Sequence, residues 1–98
     1  MKTKDEVIEI ISKAFQDSAE SCMVVLPENI DLSLSLADLG FDSVDLVMIV
    51  MEMEERLDIE ILDDRLTELE GEHNDTVDDM ELTILRDFLV TQYYEAHR

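Results

Sequence analysis

The segment Val44–Leu57 contains neither glycine nor proline, and its apolar residues recur at helical spacing. That pattern confines it to a helix. Immediately ahead stands Leu39-Gly40-Phe41-Asp42-Ser43. Gly40 admits a positive φ between Leu39 and Phe41, and Asp42 and Ser43 are both good helix N-cap residues. The chain therefore makes a tight turn and starts a helix with Ser43 at or just inside its N-terminus. Such an end carries unsatisfied N–H groups and a partial positive charge, so a phosphate ester on the serine oxygen would be stabilised there.

At about 100° per residue, Leu46, Ile49, Val50, Met53 and Leu57 share one face, which is the expected core face. On the other side lie Val44, Val47, Met48 and Met51, edged by Asp45, Glu52, Glu54 and Glu55. A small domain does not easily bury both faces of one helix, so this second stripe is expected to be at least partly exposed. An exposed apolar strip edged by charge marks a partner site, and methionines suit a surface that meets more than one partner shape. The plainer alternative is that Met48 and Met51 reach back into the core.

At these residues the sequence resembles the acyl carrier protein family, whose signature is a hydrophobic-x-acid-Leu-Gly-x-Asp-Ser-Leu run leading into an acidic helix. The corresponding run is Leu36-Ala37-Asp38-Leu39-Gly40-Phe41-Asp42-Ser43-Val44. The likeness continues through Asp45, Val47, Val50, Met51, Met53, Glu54, Glu55, Leu57 and Asp58-Ile59-Glu60-Ile61. The resemblance implies that Ser43 carries 4′-phosphopantetheine, donated by coenzyme A, with Gly40 and Asp42 forming the attachment turn. The terminal thiol of that group would hold acyl chains as thioesters. It also implies docking through Asp38, Val44, Asp45, Val47, Met48, Met51, Glu52, Glu54 and Glu55. The implied partners are a phosphopantetheinyl transferase and the acyl-loading, synthase and acyltransferase enzymes, each with a basic docking patch. Two positions depart from the pattern. Val44 replaces the usual leucine, and Met48 stands where many members carry a glutamate, which points to altered partner preference.

Charge narrows the function further. Acids outnumber bases 26 to 7 over 98 residues, a net charge of −19. Nucleic-acid binding is not expected, because phosphate contacts need Lys and Arg. Attraction to basic protein surfaces is expected, and so is self-repulsion. The thermal midpoint should therefore rise with added salt or cations, and a midpoint independent of ionic strength would contradict this. The length fits one domain spanning residues 1–98, expected to be a monomer. Cys22 is the one cysteine, so an internal disulfide is excluded and its expected role is that of a small apolar filler. No apolar run reaches membrane-spanning length, and Met1–Glu6 lacks the apolar segment of a signal peptide, which together give a cytoplasmic expectation.

The flanks read as scaffold. Thr3-Lys4-Asp5-Glu6 fits a capping box, and Val7, Ile10, Ile11, Ala14 and Phe15 follow at helical spacing, giving a first helix from about Lys4 to Asp17. Residues 18–37 form a long loop broken at Pro27-Glu28-Asn29, with Met23–Leu26 and Leu32, Leu34 and Leu36 expected to seal the core. A short third helix is expected over Asp63–Glu70, with Leu62, Leu66 and Leu69 inward and Gly71 ending it. The last helix includes Leu82, Leu85, Phe88, Leu89 and Tyr93 and opens at Thr76-Val77 or Thr83-Ile84. The later start is preferred, which leaves the acidic segment Glu70–Glu81 as an inserted surface loop. The expected fold is thus all-α, a small four-helix bundle of acyl-carrier type.

Other chemistry finds little support. The positions before Gly40 and Gly71 lack EF-hand ligands, His73 and His97 stand apart in sequence, and Ser43 is not in a Gly-x-Ser-x-Gly elbow. The chain is therefore expected not to be an enzyme and to need no metal of its own. The runner-up function is an unmodified acidic helical adaptor that binds a basic protein partner through the same surface.

Overall fold

The structure, a computed structural model, describes residues 2–26 and 31–97. The Pro27-Glu28-Asn29 break lies outside the described residues. Five α-helices follow one another among them: α1 (Lys4–Ser21), α2 (Leu36–Leu39), α3 (Ser43–Leu57), α4 (Asp63–His73) and α5 (Leu82–Ala96). A single 3-10 turn, Val77–Asp79, precedes α5. The four longer helices form the expected all-α bundle, and α2 is a one-turn helix just ahead of α3.

The starts of α1, α2 and α3 each carry a capping box. Thr3 caps α1 through the expected box with Glu6. α1 runs past the expected end at Asp17 to Ser21, because Ser18 and Ala19 continue its buried face. That face packs chiefly on α3 and less extensively on α5. On α3, Ile49, Met53 and Leu57 are buried, while Leu46 and Val50 are half-buried and packed on the same core. α5 buries Leu82, Leu89, Val90 and Tyr93, with Leu85 and Phe88 half-buried. The later of the two expected starts for this helix is the one observed.

An ion-pair bridge joins α1 to α3. Arg56 donates from Nε to Glu52 Oε1 at 2.6 Å and from Nη2 to Asp17 Oδ2 at 2.7 Å. The hydrogen bond from Arg56 is the main influence holding the Asp17 carboxyl below its ordinary value of 3.8. A carboxyl depressed in the folded chain contributes stability above its unfolded pKa and loses it as pH falls through the folded one. Wild-type stability relative to Asp17→Asn should therefore be constant near neutrality and decline below about pH 4. Urea melts of the two proteins across that range would show it, and parallel pH curves would contradict it.

Three expectations about the second half of the chain need correction. α4 passes through Gly71 and ends at His73, where Asn74 takes the left-handed conformation instead (φ 56°). Leu62 is exposed, because it is the residue before the helix and so does not lie on its inner face; Leu69 is buried and Leu66 half-buried. The acidic segment Glu70–Glu81 is not simply a surface loop, since Val77 and Met80 are buried. Their 3-10 turn lies against α2 and α4, so hydrophobic burial anchors what the acids made look solvated. In the first loop, Val24 and Leu26 pack on the core while Val25 is exposed, as alternation along extended chain requires, and Met23 is exposed in a left-handed conformation (φ 61°) just past α1. Leu36 is buried and Leu34 half-buried, whereas Leu32 is exposed. This stretch is tied to the start of α5 by Leu82 N–H donating to Leu34 O at 2.9 Å and Thr83 N–H to Leu32 O at 3.1 Å.

The two glycines make opposite demands. Gly40 has φ +99° and Gly71 an ordinary helical φ, and a Cβ at either would meet nothing within 4 Å. Gly40→Ala should cost about 1–2 kcal/mol from backbone strain alone. Gly71→Ala should gain about 0.5–1 kcal/mol by removing glycine from a helix interior. Thermal melts of the pair should move in opposite directions, and a shared sign would refute this account.

Candidate functional site: the turn before α3 and the exposed face behind it

Two consecutive capping boxes build the turn. Ser35 Oγ accepts from Asp38 N–H at 3.1 Å, and Asp38 Oδ2 accepts from Ser35 N–H at 3.0 Å. Gly40 then closes α2 in a left-handed conformation, with Gly40 N–H donating to Ala37 O and Phe41 N–H to Leu36 O at 3.0 Å. Phe41 is buried, its ring 5.3 Å from that of Phe15 on α1. That contact pins the turn to the core. Asp42 next caps α3: its Oδ1 accepts from Asp45 N–H at 2.8 Å, and Asp45 Oδ2 accepts from Asp42 N–H at 3.1 Å.

Ser43 is therefore the first residue of α3, and it is exposed. Capping falls to Asp42, so the Ser43 hydroxyl is not committed to starting the helix. Asp45 N–H goes to the Asp42 carboxylate and Leu46 N–H to the Asp42 carbonyl. The N–H groups of Ser43 and Val44 remain as the open donors of the helix end. The Asp42 N–H holds the Asp45 carboxyl below the ordinary carboxylate range, with the Cys22 thiol adding to the effect. Burial, and then Asp45, pushes the Cys22 thiol up, so it stays protonated and is a poor nucleophile. Cys22 thus serves as a half-buried group packed on the core.

The second apolar stripe lies in solvent. Val44 is 66% exposed, Val47 58%, Met48 47% and Met51 62%. Met48 and Met51 therefore do not reach back into the core. The acids around the stripe divide into two groups. Asp38 and Asp45 cap helices, Glu52 pairs with Arg56, and Glu54 Oε2 accepts from Ile61 N–H at 2.9 Å. Glu55 projects from α3 in an exposed position, and Asp38 of α2 and the cap residue Asp42 are exposed too while holding their capping bonds. Glu52 and Glu54 thus have structural work that spacing alone did not reveal. α2 itself was also missed, although Ser35 three residues before Asp38 was a legible signal for it.

A family model described as "phosphopantetheine attachment site" matches residues 7–81, more than half of the chain. The chain belongs to the phosphopantetheine attachment site family. No curated protein and no solved structure is matched by it. Members of the phosphopantetheine attachment site family carry 4′-phosphopantetheine covalently, and the domain is a carrier with no catalytic role of its own. The matched span includes most of α1, then α2 and the turn, α3, α4 and the 3-10 turn, so the family resemblance covers the site and most of its support. Around Ser43 the residues suit such a group: the hydroxyl is exposed, and the open N–H groups of Ser43 and Val44 are suited to an anion. Among the described residues, no cluster of three or more His, Cys, Asp or Glu is placed to hold a metal ion, and no helix is long and apolar enough to cross a membrane.

Proposed function

We propose that Ser43 Oγ is the attachment point, esterified by 4′-phosphopantetheine from coenzyme A, and that the chain is an acyl carrier for fatty acid, polyketide or specialised lipid biosynthesis. The observation that carries this reading is the exposed Ser43 at the first position of α3, capped by its neighbour Asp42. When bound, the group supplies a thiol on which acyl chains are held as thioesters. The protein's own residues present and orient it. Gly40 sets the turn, Asp42 starts the helix, and Phe41 fixes both to the core.

Docking falls to the Val44, Val47, Met48 and Met51 stripe, with Asp38, Asp42 and Glu55 as exposed charges at its margin. Asp45, Glu52 and Glu54 contribute to the acidic field while holding internal bonds. Partners are enzymes with basic patches: a phosphopantetheinyl transferase, which brings its own Mg²⁺, and loading, synthase and acyltransferase enzymes. Rim charges of this kind raise on-rate more than affinity, as a shuttle that must release each enzyme requires. Residues 1–98 act as one monomeric cytoplasmic domain.

A cavity of about 380 Å³ supports cargo storage. It lies among α1, α3 and α5, and Leu46, Ile49, Val50 and Met53 of α3 line it. That volume is within the usual range for small-molecule sites. The test is intact mass after incubation with coenzyme A, Mg²⁺ and a promiscuous phosphopantetheinyl transferase. A gain of one phosphopantetheine is expected. No gain on folded protein would overturn the reading in favour of the unmodified adaptor.

A further inference from the structure

One charged side chain on the cavity wall, 29% exposed overall, is unexplained by packing or docking. Arg86, on the second turn of α5, lines the same cavity as Leu46. Its Nε is buried and has no hydrogen-bond partner among the described residues. Its ion pair, Nη2 to Asp87 Oδ1 at 3.5 Å, involves another atom of the guanidinium and a carboxylate that is 58% exposed. That contact does not satisfy Nε–H.

A guanidinium keeps its charge at any pH a protein meets. A buried donor left unmet costs folding free energy, so an acceptor brought in from outside gains more there than at the surface. The remaining polar side chains lining the cavity, Ser12 and Gln16, are on the exposed side of α1. Among the described residues, Arg86 is the cavity-lining residue with a buried, unpartnered donor. Leu46, one turn beyond Ser43, lines the same space, so the cavity begins close to the first turn of α3.

We propose that Arg86 selects the cargo: the cavity takes an acyl chain bearing an oxygen acceptor, a hydroxyl, oxo or carboxylate group, in preference to a plain hydrocarbon chain. The oxygen accepts from Arg86 Nε–H while the methylenes contact Leu46, Ile49, Met53, Leu85 and Phe88. A carboxylate makes the strongest such bond, because both partners are charged. This inference rests on the carrier reading, with Ser43 as the attachment residue.

The test loads the protein from coenzyme A thioesters of equal chain length, one saturated, one hydroxylated and one ending in a carboxylate. Intact mass verifies each loading. The carboxylated chain should raise the thermal midpoint by roughly 5 °C more than the saturated chain, as expected for one charge-assisted bond in a domain of this size. Arg86→Met should abolish that difference, and in the wild type the Arg86 Nε–H proton resonance should move with the oxygenated chains only. Equal midpoints for all three loaded chains would overturn the proposal. So would a difference that survives Arg86→Met, or a resonance moved as far by the bare phosphopantetheine arm. Should Arg86→Met fail to fold, the wild-type resonance decides. Absence of any mass gain is a separate outcome that overturns the carrier reading and this inference with it.

Discussion

Ser43→Ala is expected to gain no mass with coenzyme A and transferase while keeping the wild-type fold. The loss should be complete, because the hydroxyl oxygen is the atom that would form the ester and no other serine occupies the first turn of a long helix behind a capping aspartate. The fold should survive because the cap belongs to Asp42: its Oδ1 receives Asp45 N–H and its carbonyl receives Leu46 N–H. Removing an exposed hydroxyl elsewhere typically changes stability by less than about 0.5 kcal/mol, a midpoint shift of about 3 °C for a domain of this size. Intact mass and far-UV circular dichroism on the same sample check both halves. A variant that still gains mass would move the attachment elsewhere, and a variant that loses its helical signal would make Ser43 a structural residue.

Phe41→Ala should produce the largest loss of stability among substitutions near the site. Phe41 is 4% exposed and packs on Phe15 with ring planes tilted by 49°. Truncating a buried phenylalanine costs about 3–5 kcal/mol, a large part of the roughly 5–15 kcal/mol that holds a domain together. The midpoint should fall by roughly 15 °C or more. Phe41→Leu, which keeps most of the volume, should cost much less. Because Phe41 joins Gly40 to the cap residue Asp42, the alanine variant should also take up phosphopantetheine more slowly at a temperature where it is still folded. Equal stability of the alanine and leucine variants would show that the ring does not anchor the turn.

The sequence made the site legible where its signals were local. Gly40, Asp42 and the uninterrupted run to Leu57 each act through the backbone within a few residues, so turn, cap and helix could be read directly. The exposure of Val47 and Met51 also followed from geometry, since a helix of this diameter shows two faces and only one met the core. The less legible features depend on contacts distant in sequence. Arg56 reaches Asp17 across 39 positions, which withdraws Glu52 from a purely docking role. Glu54 turns to the Ile61 amide. Val77 and Met80 are buried inside an acidic stretch because tertiary packing decides the fate of isolated apolar residues among charges. Arg86 could not be flagged from sequence, as nothing local distinguishes a surface arginine from one that meets a cavity.

The double cap before α3 also bears on how often a cargo meets an enzyme. On the proposed attachment, the arm swings from a pivot set in a turn that two capping pairs hold, Ser35 with Asp38 and Asp42 with Asp45. A tether's effective concentration at a target depends on the volume its free end explores, reaching millimolar values for short flexible links. A fixed pivot keeps that volume to the reach of the arm itself. The frequency with which the thioester finds a docked active site is then governed by where the enzyme sits on α3 rather than by fluctuation of the carrier.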